Sequence, residues 1–479
     1  MPSPKAVALL PQFDKKELRS FEYFLEVTAP ALAGVFDIDF WVRDIPRACH
    51  SDPAVWHAVV GLAAVSEDRS PERRQQPLYS RPPSRQMTLF ALQQLNLSIR
   101  RLLQSPAGDL DQWRTLTTSV IFTCAAAVQG HQRQALTHLK AGQALLRGLR
   151  AERAKPSWAS SVPGPTSLDS VQGVINRIDV QARAFAGGGH VKHLRLLADI
   201  DSFTAWRYYK APEDVPGRPR HGLPLCASPA NLACAGRAFE ALLNGMVASS
   251  QEQAAGMAAL LTGSGGAEVL ESLVKSQEPF ARAYAELSAA IRLFSSGAGA
   301  AWRPSSAVPP AQHTAMLTLL LYQATLRACF LRDPESSEVK TGENDAGPGH
   351  FPRIVDLSEQ VLRHVAERGR ASLLIPMPTT TSPLFLVAHS GFPQSARRDA
   401  ISVMKRYPRR EGIWDNALNA DIAELCLDRE GTGDATPPPM ARIHDMRLSF
   451  EEDGSIKVIL RNWDEWFRGA AGIERVVPW

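Results

Sequence analysis

From Asp52 to Ser66 the chain reads as a helix without a polar side. Asp52 is an N-cap residue and Pro53 suits the first helical turn. After them Ala54, Val55, Val59, Val60, Leu62, Ala63, Ala64 and Val65 fall on several sides of the helical wheel. Such a helix is stable in water only when other elements wrap it. The chain supplies the wrapping. Asp14 with Glu17 spells a capping box, and Phe21, Phe24, Leu25 and Thr28 then follow one face. From about Ser84 to Leu103 the residues Leu92, Leu95, Ile99 and Leu102 stay in helical register. Asp109 with Gln112 starts another helix, and Gly130 ends it. A partner follows at once with Ala135, Leu136, Leu139 and Leu146. Ala125, Ala126, Ala127 and Ala135 are small enough for these two helices to pack closely as an antiparallel hairpin. Further helical stretches are predicted near 168–186, 194–210, 229–252, 266–296, 309–331, 352–368, 394–407 and 413–428. The expected fold class is all-α: a large helical bundle or array of antiparallel helix pairs.

Pro, Gly, Ser and charge collect near 69–83, 154–165, 211–229 and 334–349. These read as flexible insertions between helices, so residues 1–479 are expected to form a single helical domain. Only the tail departs from the pattern. Around Asp453–Gly454, a hairpin turn signal, the flanks partly alternate, and a small β-hairpin is expected over 442–461. Trp463, Trp466 and Trp479 follow and would anchor the terminus against the core.

Composition narrows the function classes. A hydrophobic fraction of 44% with 21% charged residues suits a packed soluble protein. The 53 basic and 49 acidic residues leave a net charge of only +4. Direct DNA contact needs cations concentrated on one surface. The pairs Lys15–Lys16, Arg73–Arg74 and Arg397–Arg398 are instead scattered, and read as solvated helix faces. The six cysteines (Cys49, Cys124, Cys226, Cys234, Cys329 and Cys426) include no CxxC pair, the spacing a zinc cluster requires. Cys124 and Cys426 sit in apolar helical runs, as reduced core thiols do, which fits the cytosol or nucleus. Residues 1–20 do not read as a signal peptide. The apolar run near Ala315–Leu331 is interrupted by Gln323 and Arg327, so it reads as a buried helix and no membrane partner is expected.

Candidate chemistry is sparse. Gly187–Gly188–Gly189–His190 lacks the strand-to-helix scaffold that aims an oxyanion hole. His389 and Ser390 are adjacent, so base and nucleophile would not face each other. Gly263–Ser264–Gly265–Gly266 lacks the Lys of a phosphate loop. His131 and His138 have no acid or thiol at a ligand-like spacing. No catalytic, cofactor-binding or metal-binding residue is therefore assigned, and an enzyme is not expected.

A resemblance points further. Phe21–Glu22–Tyr23–Phe24–Leu25 with Thr28–Ala29–Pro30, then Phe36–Asp37–Ile38–Asp39–Phe40–Trp41, form an opening pattern. His50–Ser51–Asp52–Pro53–Ala54–Val55–Trp56–His57–Ala58–Val59 and Ala91–Leu92–Gln93–Gln94–Leu95–Asn96 follow in order. So do Gln129–Gly130, Ala135–Leu136–Thr137–His138–Leu139, and Ile178–Asp179 with Gln181. Arg397–Arg398–Asp399–Ala400–Ile401 and Pro408–Arg409–Arg410–Glu411–Gly412–Ile413–Trp414–Asp415 close the series. Together they resemble the regulatory domain of fungal zinc binuclear cluster transcription factors, without the zinc cluster. Gly391–Phe392 departs from that family's pattern, which often has a Cys there. The resemblance implies transcriptional regulation in a fungal nucleus, for example of a metabolic gene cluster. It also implies protein partners, either a co-regulator or a DNA-binding subunit, and leaves room for a small-molecule effector among the helices. The blocks Phe36–Trp41 and Arg410–Trp414 are read as packing, not as ligand contacts.

Overall fold

The structure is a computed structural model. It describes residues 14–34, 39–68, 85–104, 109–153, 168–185, 310–330, 350–367, 380–390, 394–412, 414–431, 437–451 and 455–478, with a few single positions between 236 and 288. The four insertions expected near 69–83, 154–165, 211–229 and 334–349 lie outside the described residues. The same holds for the helices expected near 194–210, 229–252 and 266–296, apart from those single positions. The described elements are almost all helices, with a small set of antiparallel strands at the C-terminal end. Two compact units are distinguished, the second beginning at Asn176.

In the first unit, α1 (Lys15–Tyr23) runs through a π-helical turn (Phe24–Thr28) into α2 (Ala29–Ala33). A second π-helical turn (Asp39–Asp44) leads into α3 (Ile45–Ser51) and α4 (Pro53–Asp68). After these come α5 (Arg85–Leu103), α6 (Asp109–Gln129), α7 (Gln132–Arg153) and the first half of α8 (Leu168–Phe185). Helix α4 is the core, with thirteen of its sixteen residues buried. It packs chiefly on α5 and α6. Its cap forms as the sequence dictates, since Asp52 Oδ1 accepts from the backbone N–H of Ala54 at 2.8 Å and Val55 at 3.4 Å. Gly61 lets α5 approach, because a Cβ there would stand 2.9 Å from the Leu95 side chain.

The capping box at Asp14 does not form. Asp14 precedes α1 but makes no side-chain cap bond. Glu17 turns inward instead, accepting from Gln94 Nε2 at 2.7 Å and Trp56 Nε1 at 3.4 Å. Gln94 Oε1 lies 2.7 Å from His57 Nδ1, so one chain of polar contacts ties α1, α4 and α5. A half-buried carboxylate with two tertiary donors does better than one folded back on its own helix end.

The hairpin of α6 and α7 turns at Gly130, whose φ of 84° lies in the left-handed region. The Gly130 and His131 N–H groups return to Ala127 O and Ala126 O, closing the helix end. Ala125, Ala126, Ala127 and Ala135 are buried, and Ser119 Oγ donates to His138 O at 2.7 Å across the two helices. Phe40 and Trp41 are fully buried and meet edge-on at 4.9 Å.

The second unit contains the rest of α8, then α9 (Pro310–Phe330), α10 (His350–Glu367), α11 (Thr381–Ser390), α12 (Gln394–Arg406) and α13 (Asn416–Glu430). Between α12 and α13 stands a two-residue ribbon, β1 (Arg410–Glu411) with β2 (Trp414–Asp415). Helix α9 packs on α10, while α11, α12 and α13 pack on one another. The C-terminal hairpin forms from β3 (Ile443–Phe450) and β4 (Ser455–Asn462). A third strand, β5 (Ile473–Pro478), pairs antiparallel with β4, which the sequence reading did not foresee. The short helix α14 (Trp463–Phe467) joins β4 to β5. It is held by a reciprocal capping box between Asn462 and Glu465, and Gly469 and Gly472 then take positive φ to turn the chain back. Trp463 and Trp466 anchor this corner against His444, Trp463 stacking on its ring at 3.4 Å. Trp479 lies outside the described residues.

Candidate functional site

The densest constellation of polar chemistry is a buried hub built by the ribbon β1–β2 and the ends of α11 and α13. Its local cause is Gly412. Its φ of +59° lets the chain reverse between the strands, and a Cβ there would fall 1.9 Å from Gln181 Oε1. The reversal sets Arg410 opposite Asp415 and Glu411 opposite Trp414.

Glu411 is fully buried and points at the N-terminus of α11. Its carboxylate accepts from Thr380 N at 3.0 Å, Thr380 Oγ1 at 2.8 Å and Thr381 N at 2.9 Å. A helix N-terminus presents unpaired N–H groups and a positive dipole end, so a carboxylate there is stabilised twice. Arg409 Nε approaches the same carboxylate at 3.2 Å. Burial pushes the Arg409 guanidinium below its ordinary pKa, and the charge of Glu411 opposes that shift.

Asp415 is the N-cap of α13. Its Oδ1 accepts from Ala417 N at 3.0 Å and Leu418 N at 3.2 Å, while its Oδ2 meets Arg410 Nε at 3.3 Å. Asn416 links the two helix starts, accepting from Thr381 Oγ1 at 2.6 Å and donating to Tyr407 O at 2.8 Å. Trp414 donates to Gln181 O at 3.1 Å and packs edge-on against Phe385 at 5.4 Å. The hub thus places two arginines against two carboxylates, with helix ends satisfying the remaining lone pairs. Such a network fixes the relative placement of its elements.

A second buried charge pair stands at the opposite, C-terminal ends of α11 and α13. Arg397 is 1% exposed, donates from Nε to Ala388 O at 2.9 Å and forms an ion pair with Glu430. This corrects the reading of Arg397–Arg398 as a solvated face, for only Arg398 points outward. The helical register of α12 turns Arg397 toward the end of α11, where the carbonyl of Ala388 lacks an intrahelical donor. Lys16, from another pair read as solvated, lays its ammonium over the Phe90 ring at 4.0 Å.

His389 is partly buried beside Phe385 and Arg397, and its pKa is held down to about 4 by desolvation and by the Arg397 charge. His138 packs against Phe122 with its pKa lowered by burial, while His131 stands exposed ahead of α7. Gly187–His190 and Gly263–Gly266 lie outside the described residues. Among the described residues, no three His, Cys, Asp or Glu side chains gather to hold a metal ion. No described helix is long and apolar enough to cross a membrane.

From sequence alone the ribbon motif reads as packing. Trp414 obeys that reading. The reading misses the ionic hub, because Thr380 and Thr381 stand about thirty residues upstream of Glu411 and nothing in their local pattern marks them.

No curated protein and no solved structure matches the chain. Residues 19–166, a segment lying within the first unit and spanning α4 and the α6–α7 hairpin, match the fungal specific transcription factor domain, and this part of the chain carries that domain's sequence pattern.

Proposed function

We propose that the chain regulates transcription in a fungal nucleus, at the promoters of a metabolic gene cluster. The observation that carries the reading is the domain match over residues 19–166. The dispersed charge supports a division of labour in which phosphate contacts are made elsewhere. DNA recognition is then supplied by sequence outside these residues, on the same polypeptide or on a partner subunit. The chain itself works through protein contacts with a co-regulator or DNA-binding subunit, and a small-molecule effector among the helices of either unit sets its state. No residue serves as nucleophile, base or metal ligand in this reading.

The test fuses residues 1–479 to a heterologous DNA-binding module in a fungal host, with a reporter behind the matching operator. A fluorescent tag on the unfused chain gives its location. The expected result is nuclear accumulation and a reporter change that depends on the fused chain. A chain that stays in the cytosol and leaves the reporter unchanged would overturn the proposal in favour of a cytosolic scaffold.

A further inference from the structure

Helix α5 presents its inner face to α4 with Phe90, Ala91, Gln94 and Ser98 buried. Its outer face is not the polar surface that an amphipathic helix normally gives to solvent. Leu89, Leu92, Ile99 and Leu103 are 50%, 42%, 41% and 81% exposed. These four account for more than a third of the eleven large exposed apolar side chains among the described residues. They stand at i, i+3, i+10 and i+14, and the position that completes the series, i+7, is Asn96, also exposed. This is the 3,4-spacing of a coiled-coil seam, with Leu89, Asn96 and Leu103 at the a positions and Leu92 and Ile99 at the d positions.

We infer that this face is where a second copy of the chain docks, α5 lying parallel and in register with its counterpart. Asn96 selects that arrangement. In a parallel in-register pair each a position meets its own counterpart, so the two Asn96 side chains hydrogen-bond across the axis between two leucine layers. In an antiparallel pair a meets d, and Asn96 would be buried against Leu92 with its amide unsatisfied. A single polar a residue is a known device for fixing register and strand number.

The flanks agree. In the parallel pair Thr88 meets Gln93, and Arg100 is the single charge on the other flank, so no two like charges are opposed. The seam is about 21 Å long at 1.5 Å per residue. The exposed parts of the four apolar side chains offer on the order of 400 Å² per partner, and Gln86, Gln93, Asn96 and Arg100 extend the face toward the roughly 800 Å² per partner of a stable interface. The short apolar seam and its polar layer make a reversible dimer the expected outcome, with a dissociation constant on the order of micromolar.

Sedimentation velocity on the full chain from about 1 to about 200 µM spans that range. The expected result is a monomer–dimer equilibrium that the double variant Leu92→Glu, Ile99→Glu abolishes while its far-ultraviolet circular dichroism stays unchanged, because both side chains are solvent-facing in the monomer. Asn96→Leu should tighten association at least several-fold, by removing the polar layer. Asn96→Cys, oxidised in air beside the parent chain, should give a cross-linked dimer that the parent does not. A parent chain that stays monomeric at the highest concentration overturns the inference. So does a dimer that survives Leu92→Glu, Ile99→Glu, or an Asn96→Cys chain that cross-links no more than the parent. These readouts are independent of any promoter assay.

Discussion

His389 makes the stability of the second unit depend on pH in a way that can be worked through. The imidazole is partly buried at the end of α11, stacked 5.8 Å from the Phe385 ring. Burial is the larger cause that depresses its pKa from 6.5 to about 4, and the Arg397 guanidinium is the second. Arg397 is fixed there by Ala388 O and Glu430, so the positive charge cannot move away. The group is therefore neutral in the folded chain at neutral pH and gains a proton only near pH 4. In the unfolded chain it gains that proton near 6.5. Between those values the unfolded state binds more protons, so stability is full above about 6.5 and falls as pH drops toward about 4. A depression of about 2.5 pKa units corresponds to about 3 kcal/mol in total, of which about 2 kcal/mol is lost between pH 7.5 and 5. Urea unfolding of the parent and of His389→Gln, followed by circular dichroism and tryptophan fluorescence at both pH values, isolates this contribution, since every other titrating group is common to the two. The parent should lose about 2 kcal/mol more than the variant on acidification. Parallel pH slopes, or a parent that gains stability relative to the variant at pH 5, would refute the placement of a neutral buried imidazole against Arg397.

Three further outcomes follow from particular residues. Gly412→Ala must hold φ near +59° and push a methyl group into Gln181, which combines a left-handed backbone cost of about 1–2 kcal/mol with overpacking of about 1–3 kcal/mol, so thermal unfolding should move down by several degrees. An unchanged Tm would mean that the ribbon does not turn there. Asp52→Ala should destabilise the first unit by about 1 kcal/mol or more through loss of the α4 cap and the Arg114 ion pair, whereas Asp52→Asn, which keeps an accepting oxygen, should recover most of the cap; equal losses in the two would place the effect in the charge alone. Burial raises the Cys124 and Cys426 thiols to about 12 and the Cys49 thiol as well, so peptide mapping after treatment with a thiol reagent at pH 8 should find all three unmodified in the folded chain and modified in denaturant.

How much of this was legible depended on the distance over which each signal acts. Helix α4 could be read directly, because its cap spans two or three residues and its apolar content fills a single element. The α6–α7 hairpin was readable for the same reason, since Gly130 and the alanines beside it are contiguous. Helix α11 was not read. Its Thr-Ser-Pro start carries turn-forming residues, and what holds that start is Glu411, thirty residues downstream. The third strand β5 was missed because Ile473–Pro478 carries the adjacent charges Glu474 and Arg475 on an edge of the sheet, where no inward alternation marks it. Asp14 shows the opposite failure. The local pattern was correct as a pattern, and a tertiary acceptor site for Glu17 outcompeted it.

The same logic separates the two units. In the first, order comes from apolar helices whose identity any 3.6-residue period reveals, and the polar contacts of Glu17 and Gln94 are additions at the margin of that core. In the second, a short ribbon fixes the starts of two helices, α11 and α13, through charges taken out of water. Breaking one partner of a buried ion pair leaves the other uncompensated, at a cost of about 3–5 kcal/mol. Both carboxylates of the hub stand at helix N-termini, where backbone N–H groups offset part of their desolvation before any arginine is counted. The arginines then balance charge already held by the backbone. That ordering explains how Glu411 and Asp415 can be fully buried, and why the motif containing them reads from sequence alone as packing.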